Sequence, residues 1–377
     1  MSDHGSRGGP LSGVRVVELA QWWAGPAAGG VLADWGATVV KIEPPGGDPL
    51  RGRSRDTPSA AFAVANRGKR SVETDLRGPS SRKTLEALLD QADVLLTSVR
   101  PGALESLGLS MGVLRARWPA LVVCSLTGLG RTGPDRARAG SELAAFYART
   151  GIGAAMVAGG REPVPAVDGL GDAVAAMSCV AGICAALLDR SATGTGAVVD
   201  VSLLRCGTWA TAGTLASGGT PAPRPPTYGA YQAADGRWFL LVDPDVERSL
   251  PLVFAAIDHP DLCDDPRWAD RRAIREHTTE LARLLTEAFA TRPRDAWAYA
   301  FDAAGVRWEP VSEPTEVRTD PQLATGGWLS DGSTRGWTVN TPVDFADDPR
   351  AAAAPTPRCG EHTSGPWPVA SGNGTRA

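Results

Sequence analysis

An aspartate stands before sixteen uncharged residues: Asp172 precedes the run from Ala173 to Leu188, and the next charge is Asp189. Every residue of the run is Ala, Gly, Ser, Cys, Met or aliphatic, which suits a closely packed helix in a core. Two chemistries fit a carboxylate in that place. Aspartate is a preferred helix cap, accepting hydrogen bonds from amides that have no partner within the helix. A carboxylate at the edge of a dry, apolar environment is also a nucleophile toward an acyl group. The helix dipole and free amides are expected to keep it ionised, and the glycines of "GLGD" supply flexible backbone beside it. Asp168, four residues earlier, is the competing carboxylate.

Other groups that carry chemistry are sparse. The six cysteines (124, 179, 184, 206, 263 and 359) form no CxxC pair, and several fall in apolar runs. They read as buried free thiols of a reducing, cytoplasmic compartment. The four histidines have no ligand spacing, so no metal is expected. The net charge is −4, with only three lysines, and no basic cluster is interleaved with aromatics. Nucleic acid is therefore not an expected partner. The run after Asp172 is short for a membrane span and rich in Ala and Gly, so a soluble core helix is expected and no membrane partner. The leader "MSDHGSRGGP" has no apolar signal core and reads as flexible.

The elements that must position Asp172 alternate in type. "VRVVELA" (14–20), "ATVVKIE" (37–43), "DVLLTSV" (93–99) and "LVVCSLT" (121–127) read as strands, with helical spacing in "SRKTLEALLDQA" and "SMGVLRARW". Alternation predicts a parallel sheet with helices on both faces. Ligands of such sheets lie at the carboxyl ends of strands, where "QWWAGP", "EPPGGD", "TSVRPG" and "TGLGRTGP" fall. The Pro/Gly-rich stretch 217–229 reads as a linker, followed by a hairpin turning at Asp235–Gly236 and a helical stretch from about Thr278 to Ala304. The expected organisation is a large Rossmann-like α/β domain over 1–215, a smaller α+β domain over 226–325, and a return to the large domain over 326–377, without order after about 363.

Nine stretches, in order over about residues 11–363, resemble the class III coenzyme A transferases, a family that also includes α-methylacyl-CoA racemases. They include "LSGVRVVELAQWWAGPAAGGVLADWGATVVKIEPPGGD", "NRGKRSVETDL", "ADVLLTSVRPGALESLGL", "CSLTGLGRTGP", "GLGDAVAAMSCVAGICAALL", "TGTGAVVDVSLL" and "CGEHT". The resemblance implies an interlocked-ring homodimer, with the active site between domains and subunits and Asp172 as nucleophile. It implies an acyl-CoA and a carboxylic acid acceptor as substrates, exchanged through an aspartyl mixed anhydride and an aspartyl-CoA thioester. Coenzyme A contacts are implied at Trp23, Ala24, Thr74, Asp75, Leu76, Arg77, Ser98, Val99 and Arg100. Lys69 and Arg70, close by in "NRGKRS", and Glu142 are expected to bind coenzyme A as well. Trp22, by default, belongs to a core or an interface.

Departures from the family pattern keep alternatives open. Pro44 stands where a basic residue is common, "TSVRPG" replaces "ENFRPG", and Ser106 replaces a common arginine. These changes remove basic and aromatic contacts and leave a divergent, non-catalytic paralogue, acting as a subunit of a heteromer or as a binding module, as one alternative. The racemases carry a "GHD"-like acid/base where this chain has "AGSE", with Ser141 and Glu142. A 2-methylacyl-CoA racemase is the other alternative, disfavoured by the missing histidine.

Overall fold

The computed structural model describes residues 8–52, 57–157, 162–219, 224–331, 337–345 and 354–368. These residues divide into two compact units, one from Met1–Gly219 with Trp328–Ala377 and one from Thr220–Gly327.

The large unit is built on β1 (Arg15–Leu19), β2 (Thr38–Glu43), β3 (Arg70–Glu73), β4 (Val94–Thr97), β5 (Val122–Thr127) and β6 (Val198–Ser202). All pair in parallel, in the order β3-β2-β1-β4-β5-β6. Their runs of Val, Leu and Ile are covered on both faces, as parallel strands require. Alternate side chains feed two cores. Val16, Val39, Leu96 and Cys124 face one cluster, and Val17, Val40, Leu95 and Val123 face the other. The expected parallel α/β sheet is therefore present.

Helices α1 (Ala24–Asp34), α2 (Ala60–Asn66), α3 (Pro79–Leu89), α4 (Pro101–Ser106), α5 (Met111–Arg117), α6 (Ile152–Ala155), α7 (Leu170–Thr193), α8 (Leu203–Ala210) and α9 (Ala212–Ala216) complete it. The first core joins α1 to α7, and the second packs Leu85, Leu104 and Leu114 of α3, α4 and α5 on the other side. Small residues let α1 approach closely: a Cβ on Gly30 would stand 2.7 Å from the carbonyl oxygen of Ala65. Among the described residues, α7 is the one helix long and apolar enough to cross a membrane. It instead buries Ala175, Ala176, Cys179, Val180 and Ile183 in the first core.

The C-terminal segment is described as far as residue 368, with 360–366 along the free edge of β3; the rest of the tail expected to lack order, 369–377, lies outside the described residues. His362 N–H donates to the Ser71 carbonyl (2.8 Å), and Ser71 N–H donates to His362 Nδ1 (3.2 Å). The Arg70 guanidinium donates to the carbonyls of Pro366 (2.6 Å) and Gly365 (2.7 Å). Covering an edge strand in this way satisfies amides that would otherwise template pairing.

The smaller unit holds an antiparallel sheet of β7 (Tyr228–Gln232), β8 (Trp238–Val242) and β9 (Trp308–Pro310). Against it lie α10 (Val246–Ala256), α11 (Arg271–Glu276), α12 (Thr278–Phe289) and α13 (Arg294–Ala304). Phe239, Phe289, Trp297 and Phe301 form its aromatic centre, with mostly edge-on rings. The single helical stretch expected over 278–304 is two helices. Pro293 precedes α13 in an extended conformation and cannot continue α12. In the large unit, β10 (Leu329–Asp331) pairs antiparallel with β11 (Trp337–Val339).

Candidate active site

Chain direction places Asp172. The last turn of α7 lies at the amino ends of β4 and β5: Arg190 donates to the carbonyls of Asp93 and Ala120 (both 3.3 Å), and just beyond α7 Gly196 N–H donates to the Pro119 carbonyl (2.8 Å). A helix of 24 residues rises about 1.5 Å per residue, so its first turn, with Asp172, stands at the carboxyl end of the sheet. The helix begins at Leu170, two residues before Asp172, behind the left-handed Gly169 (φ 92°).

Asp172 does not cap this helix. Glu142 does: its carboxylate accepts from the amides of Gly169 (2.8 Å) and Gly171. Glu142 leads a π-helical segment, Leu143–Ala148, that also brings Phe146 against α7. A Cβ on Gly171 would collide with the Phe146 ring, so the second glycine of "GLGD" is there for close approach. On the other side a Cβ on Gly207 of α8 would stand 2.6 Å from the Phe146 carbonyl oxygen. Glu142 and Phe146 thus form one wedge that seats the head of α7.

The Asp172 carboxylate is half-buried and, among the described residues, accepts no hydrogen bond. Burial first, and then the nearby Glu142 carboxylate, raises its pKa from the ordinary aspartate value to about 6. This corrects the expectation that helix amides would stabilise the anion, because Glu142 has taken those amides. At neutral pH the group is still mostly ionised, and it is more basic than a free carboxylate.

The order of strands reverses between β1 and β4, and the loops after these two strands are tied together. Gln21 N–H donates to Ser98 Oγ (3.2 Å), and Ser98 N–H donates to the Leu19 carbonyl (3.1 Å). Such a switch point leaves a crevice in which open α/β sheets bind ligands. On the α4–α5 side of it is a cavity of about 230 Å³, lined by residues including Val99, Leu104, Leu109, Met111, Ser125 and Arg131. Helices α1 and α7 share the other face, and both begin at this same end of the sheet. A ligand crossing the crevice would run from the α4–α5 cavity toward Asp172.

The structure places several of the expected contact residues on this edge. Trp23 and Ala24 open α1 after β1, Ser98, Val99 and Arg100 follow β4, and Thr74, Asp75, Leu76 and Arg77 follow β3. Arg100 is exposed and Val99 lines the cavity. Asp75 and Arg77 form an exposed ion pair (2.9 Å), in which the guanidinium holds the Asp75 carboxyl below its usual range.

Three expectations need correction. Lys69 is 3% exposed, and its ammonium donates to Glu18 (2.7 Å), the Pro26 carbonyl (2.7 Å) and Asn66 Oδ1 (2.9 Å). With three donors in use it holds the fold together and has none to offer a phosphate. Burial pulls its pKa down to about 8, against the attraction of Glu18. Arg70 anchors the C-terminal segment, as described above. Glu142 acts on the helix of Asp172 through its amides.

Two features escaped the sequence reading. Arg131 follows β5 in "TGLGRTGP", a strand end the sequence reading named as a place for ligands, without the arginine itself being singled out. The second feature is a buried ionic cluster. Glu18 of β1, Lys41 of β2 and Asp48 beyond β2 have side chains with no exposure; Lys41 Nζ lies 3.1 Å from Glu18 and 2.8 Å from Asp48. Burial works against the Lys41 charge, but the carboxylates of Glu18 and Asp48 overcome it and raise its pKa. Beside the cluster, Arg51 grips Glu43 with two bonds of 2.6 Å. These charges alternate with apolar residues in "VVEL" and "VVKIE", where they look like the polar side of half-exposed strands. Among the described residues, no group of three His, Cys, Asp or Glu side chains is placed to hold a metal ion.

A parallel sheet with a switch-point crevice and a half-buried carboxylate at a helix head defines a ligand-binding protein of the α/β class. The chain belongs to CoA-transferase family III, whose profile it matches over residues 11–363. It is 29% identical over 94% of its length to (R)-2-hydroxy-4-methylpentanoate CoA-transferase of Clostridioides difficile, covering 93% of that protein. It is 33% identical over 83% of its length to succinyl-CoA–D-citramalate CoA-transferase of Chloroflexus aurantiacus, covering 81% of it. Among solved structures, a CaiB/BaiF family protein from Brucella suis superposes with a TM-score of 0.83 at 30% identity, over 95% of this chain and 98% of that one.

Proposed function

We propose that this CoA-transferase moves coenzyme A from an acyl-CoA to a carboxylic acid, with Asp172 as nucleophile. The observation that carries the reading is the Asp172 carboxylate itself. It is half-buried, accepts no hydrogen bond among the described residues and is raised to a pKa of about 6, at the ligand-binding end of the sheet.

An Asp172 oxygen attacks the thioester carbonyl, the C–S bond breaks, and a mixed anhydride forms as CoA leaves as thiolate. The thiolate attacks the aspartyl carbonyl, the donor acid departs as carboxylate, and aspartyl-CoA remains. The acceptor carboxylate attacks that thioester, forming a second anhydride and again freeing the thiolate. Attack of the thiolate on the acceptor carbonyl gives the new acyl-CoA and restores Asp172. Activation is kept throughout only if water is excluded, which the apolar wall of α7 and Phe146 favours. The nucleotide of CoA would lie at the α4–α5 cavity, with Arg100 and Arg131 as phosphate partners.

A racemase needs a second acid/base opposite the substrate α-carbon. Glu142, the carboxylate nearest to hand, already accepts two amides, which disfavours that role. The large unit leaves apolar residues exposed on α7 and α8, with Leu170 at 51%, Leu188 at 74% and Trp209 at 80%. This supports assembly with a partner chain, as in the interlocked homodimer implied by the family. Free thiols at Cys124, Cys179 and Cys206 support a cytoplasmic setting.

The test is to mix the protein with a series of acyl-CoA esters and map mass shifts on peptides. An adduct on the Asp172 peptide, lost in Asp172→Ala together with exchange, is the expected result. Exchange that survives Asp172→Ala would remove the mechanism. Native mass spectrometry on dilution is expected to show a dimer that does not dissociate.

A further inference from the structure

Trp22 is one of two described residues other than glycine with positive φ, at 68°. A bulky side chain in the left-handed region is held against a steric cost, and such residues gather at functional sites. The ring is 61% exposed, so no burial of its own repays that cost. What holds the conformation is the Lys41–Asp48 ion pair. Lys41 Nζ donates to the carbonyl of Ala20 (2.7 Å), and Asp48 Oδ1 accepts the amide of Trp22 (3.3 Å) and that of Leu50 (2.9 Å). One buried pair therefore grips the backbone on both sides of Gln21, while Gln21 N–H is tied across the switch point to Ser98. The charges are buried, and the exposed indole stands on the loop that leaves β1 at the carboxyl end of the sheet.

We propose that the Lys41–Asp48 pair is a positioning device and Trp22 a specificity-determining residue, presenting its indole to the thioester arm of the ligand between the α4–α5 cavity and Asp172. The inference rests on the acyl-CoA reading above. The path across the crevice assigns the arm, and not the nucleotide, to Trp22. The cavity beyond β4 and β5 is the nucleotide's place, and the loop after β1 lies between it and the α1–α7 face.

The test measures binding of CoA, an acyl-CoA and the adenosine bisphosphate fragment of CoA by calorimetry, with steady-state exchange alongside. Trp22→Gly suits the left-handed backbone, so its melting temperature is expected to equal or exceed that of the parent. Affinity for CoA and acyl-CoA should fall about tenfold, with KM raised and kcat kept. Affinity for the adenosine bisphosphate should not change, and Trp22→Phe should restore most of the loss. Asp48→Asn should weaken CoA binding in the parent but not further in Trp22→Gly, although it destabilises both. Unchanged CoA affinity in Trp22→Gly overturns the proposal, as does an equal loss for the adenosine bisphosphate. A shift in oligomeric state with binding intact overturns it too. If the parent binds CoA and these variants do not differ, only this inference falls. If the parent binds no CoA, the acyl-CoA reading falls and takes the inference with it.

Discussion

Glu142 takes the amide hydrogens of Gly169 and Gly171, and Asp172, in the same helical turn, takes none. The division separates two tasks that one carboxylate would otherwise combine. A capping carboxylate is stabilised as the anion and made a poor base, whereas Asp172 is destabilised as the anion by burial and by the Glu142 charge beside it. The anion is thus raised in free energy where attack on an acyl carbon would relieve it.

The first consequence is a pH profile. Exchange depends on ionised Asp172, so its rate should be level above the group's pKa of about 6 and fall about tenfold per unit below it. Values of kcat/KM for acyl-CoA across the acid range, which report the free enzyme, check this. A profile that stays flat well into the acid range would show that Asp172 is not the titrating nucleophile.

Stability should respond in the opposite sense. The folded-state pKa of Asp172 is raised, from 3.8 to about 6, so the folded chain binds more protons than the unfolded one between those values. That contribution is complete below the lower value and is lost as pH rises through the upper one. Asp172→Asn should therefore be more stable than the parent at neutral pH, by about 1 kcal/mol after allowance for solvent screening. The gap should close in acid. Denaturant titrations at the two pH extremes measure it; a gap that is the same at both would contradict the linkage.

Glu142→Gln separates capping from charge. The amide oxygen can still accept one helix amide, but the negative charge is gone. The acid limb of the rate profile should move to lower pH, because the second cause of the raised Asp172 pKa is removed. The helix end should lose about 1 kcal/mol. A limb that moves upward would mean that Glu142 does not act on Asp172 through its charge.

Much of the fold was legible because it depends on local pattern. Apolar runs such as "VVEL" and "DVLLTSV", stopped by Gly and Pro, give the strands, and their alternation with helices gives the parallel sheet. Asp172 stood out as a candidate through the uncharged run behind it, and Arg100 through the family resemblance alone. What stayed hidden depends on long-range placement. Nothing local says that Glu142, 27 residues before Gly169, reaches that glycine's amide. Lys69 resembles any solvated lysine until β1 and α1 close around it. Trp22 resembles a core or interface aromatic; that it leaves the core is set by a backbone angle held by Lys41 and Asp48, which come later in the chain.

The buried cluster yields a ranked pair of variants. Lys41→Met leaves the carboxylates of Glu18 and Asp48 buried without their shared cation, and should cost about 3–5 kcal/mol. Lys69→Met leaves Glu18 still paired with Lys41 at 3.1 Å, and should cost less. Urea unfolding of both gives the order, and the reverse order would mean that Lys69 carries the cluster.

Gly171 and Phe146 form the last testable contact, and it links packing to chemistry. A methyl group at Gly171 meets the Phe146 ring, so Gly171→Ala must displace either the ring or the first turn of α7. Overpacking of this kind costs about 1–3 kcal/mol, and here it also moves Asp172. Phe146→Ala removes a nearly buried ring and should cost about 3–5 kcal/mol alone. In that background there is space for the added methyl, so Gly171→Ala should cost little more, and the two changes should be far from additive. Exchange activity gives the sharper reading. If displacement of the α7 head is what inactivates Gly171→Ala, the double variant should recover part of the lost rate although it is less stable than the parent. Additive losses in both stability and rate would show that Phe146 does not seat the nucleophile's helix.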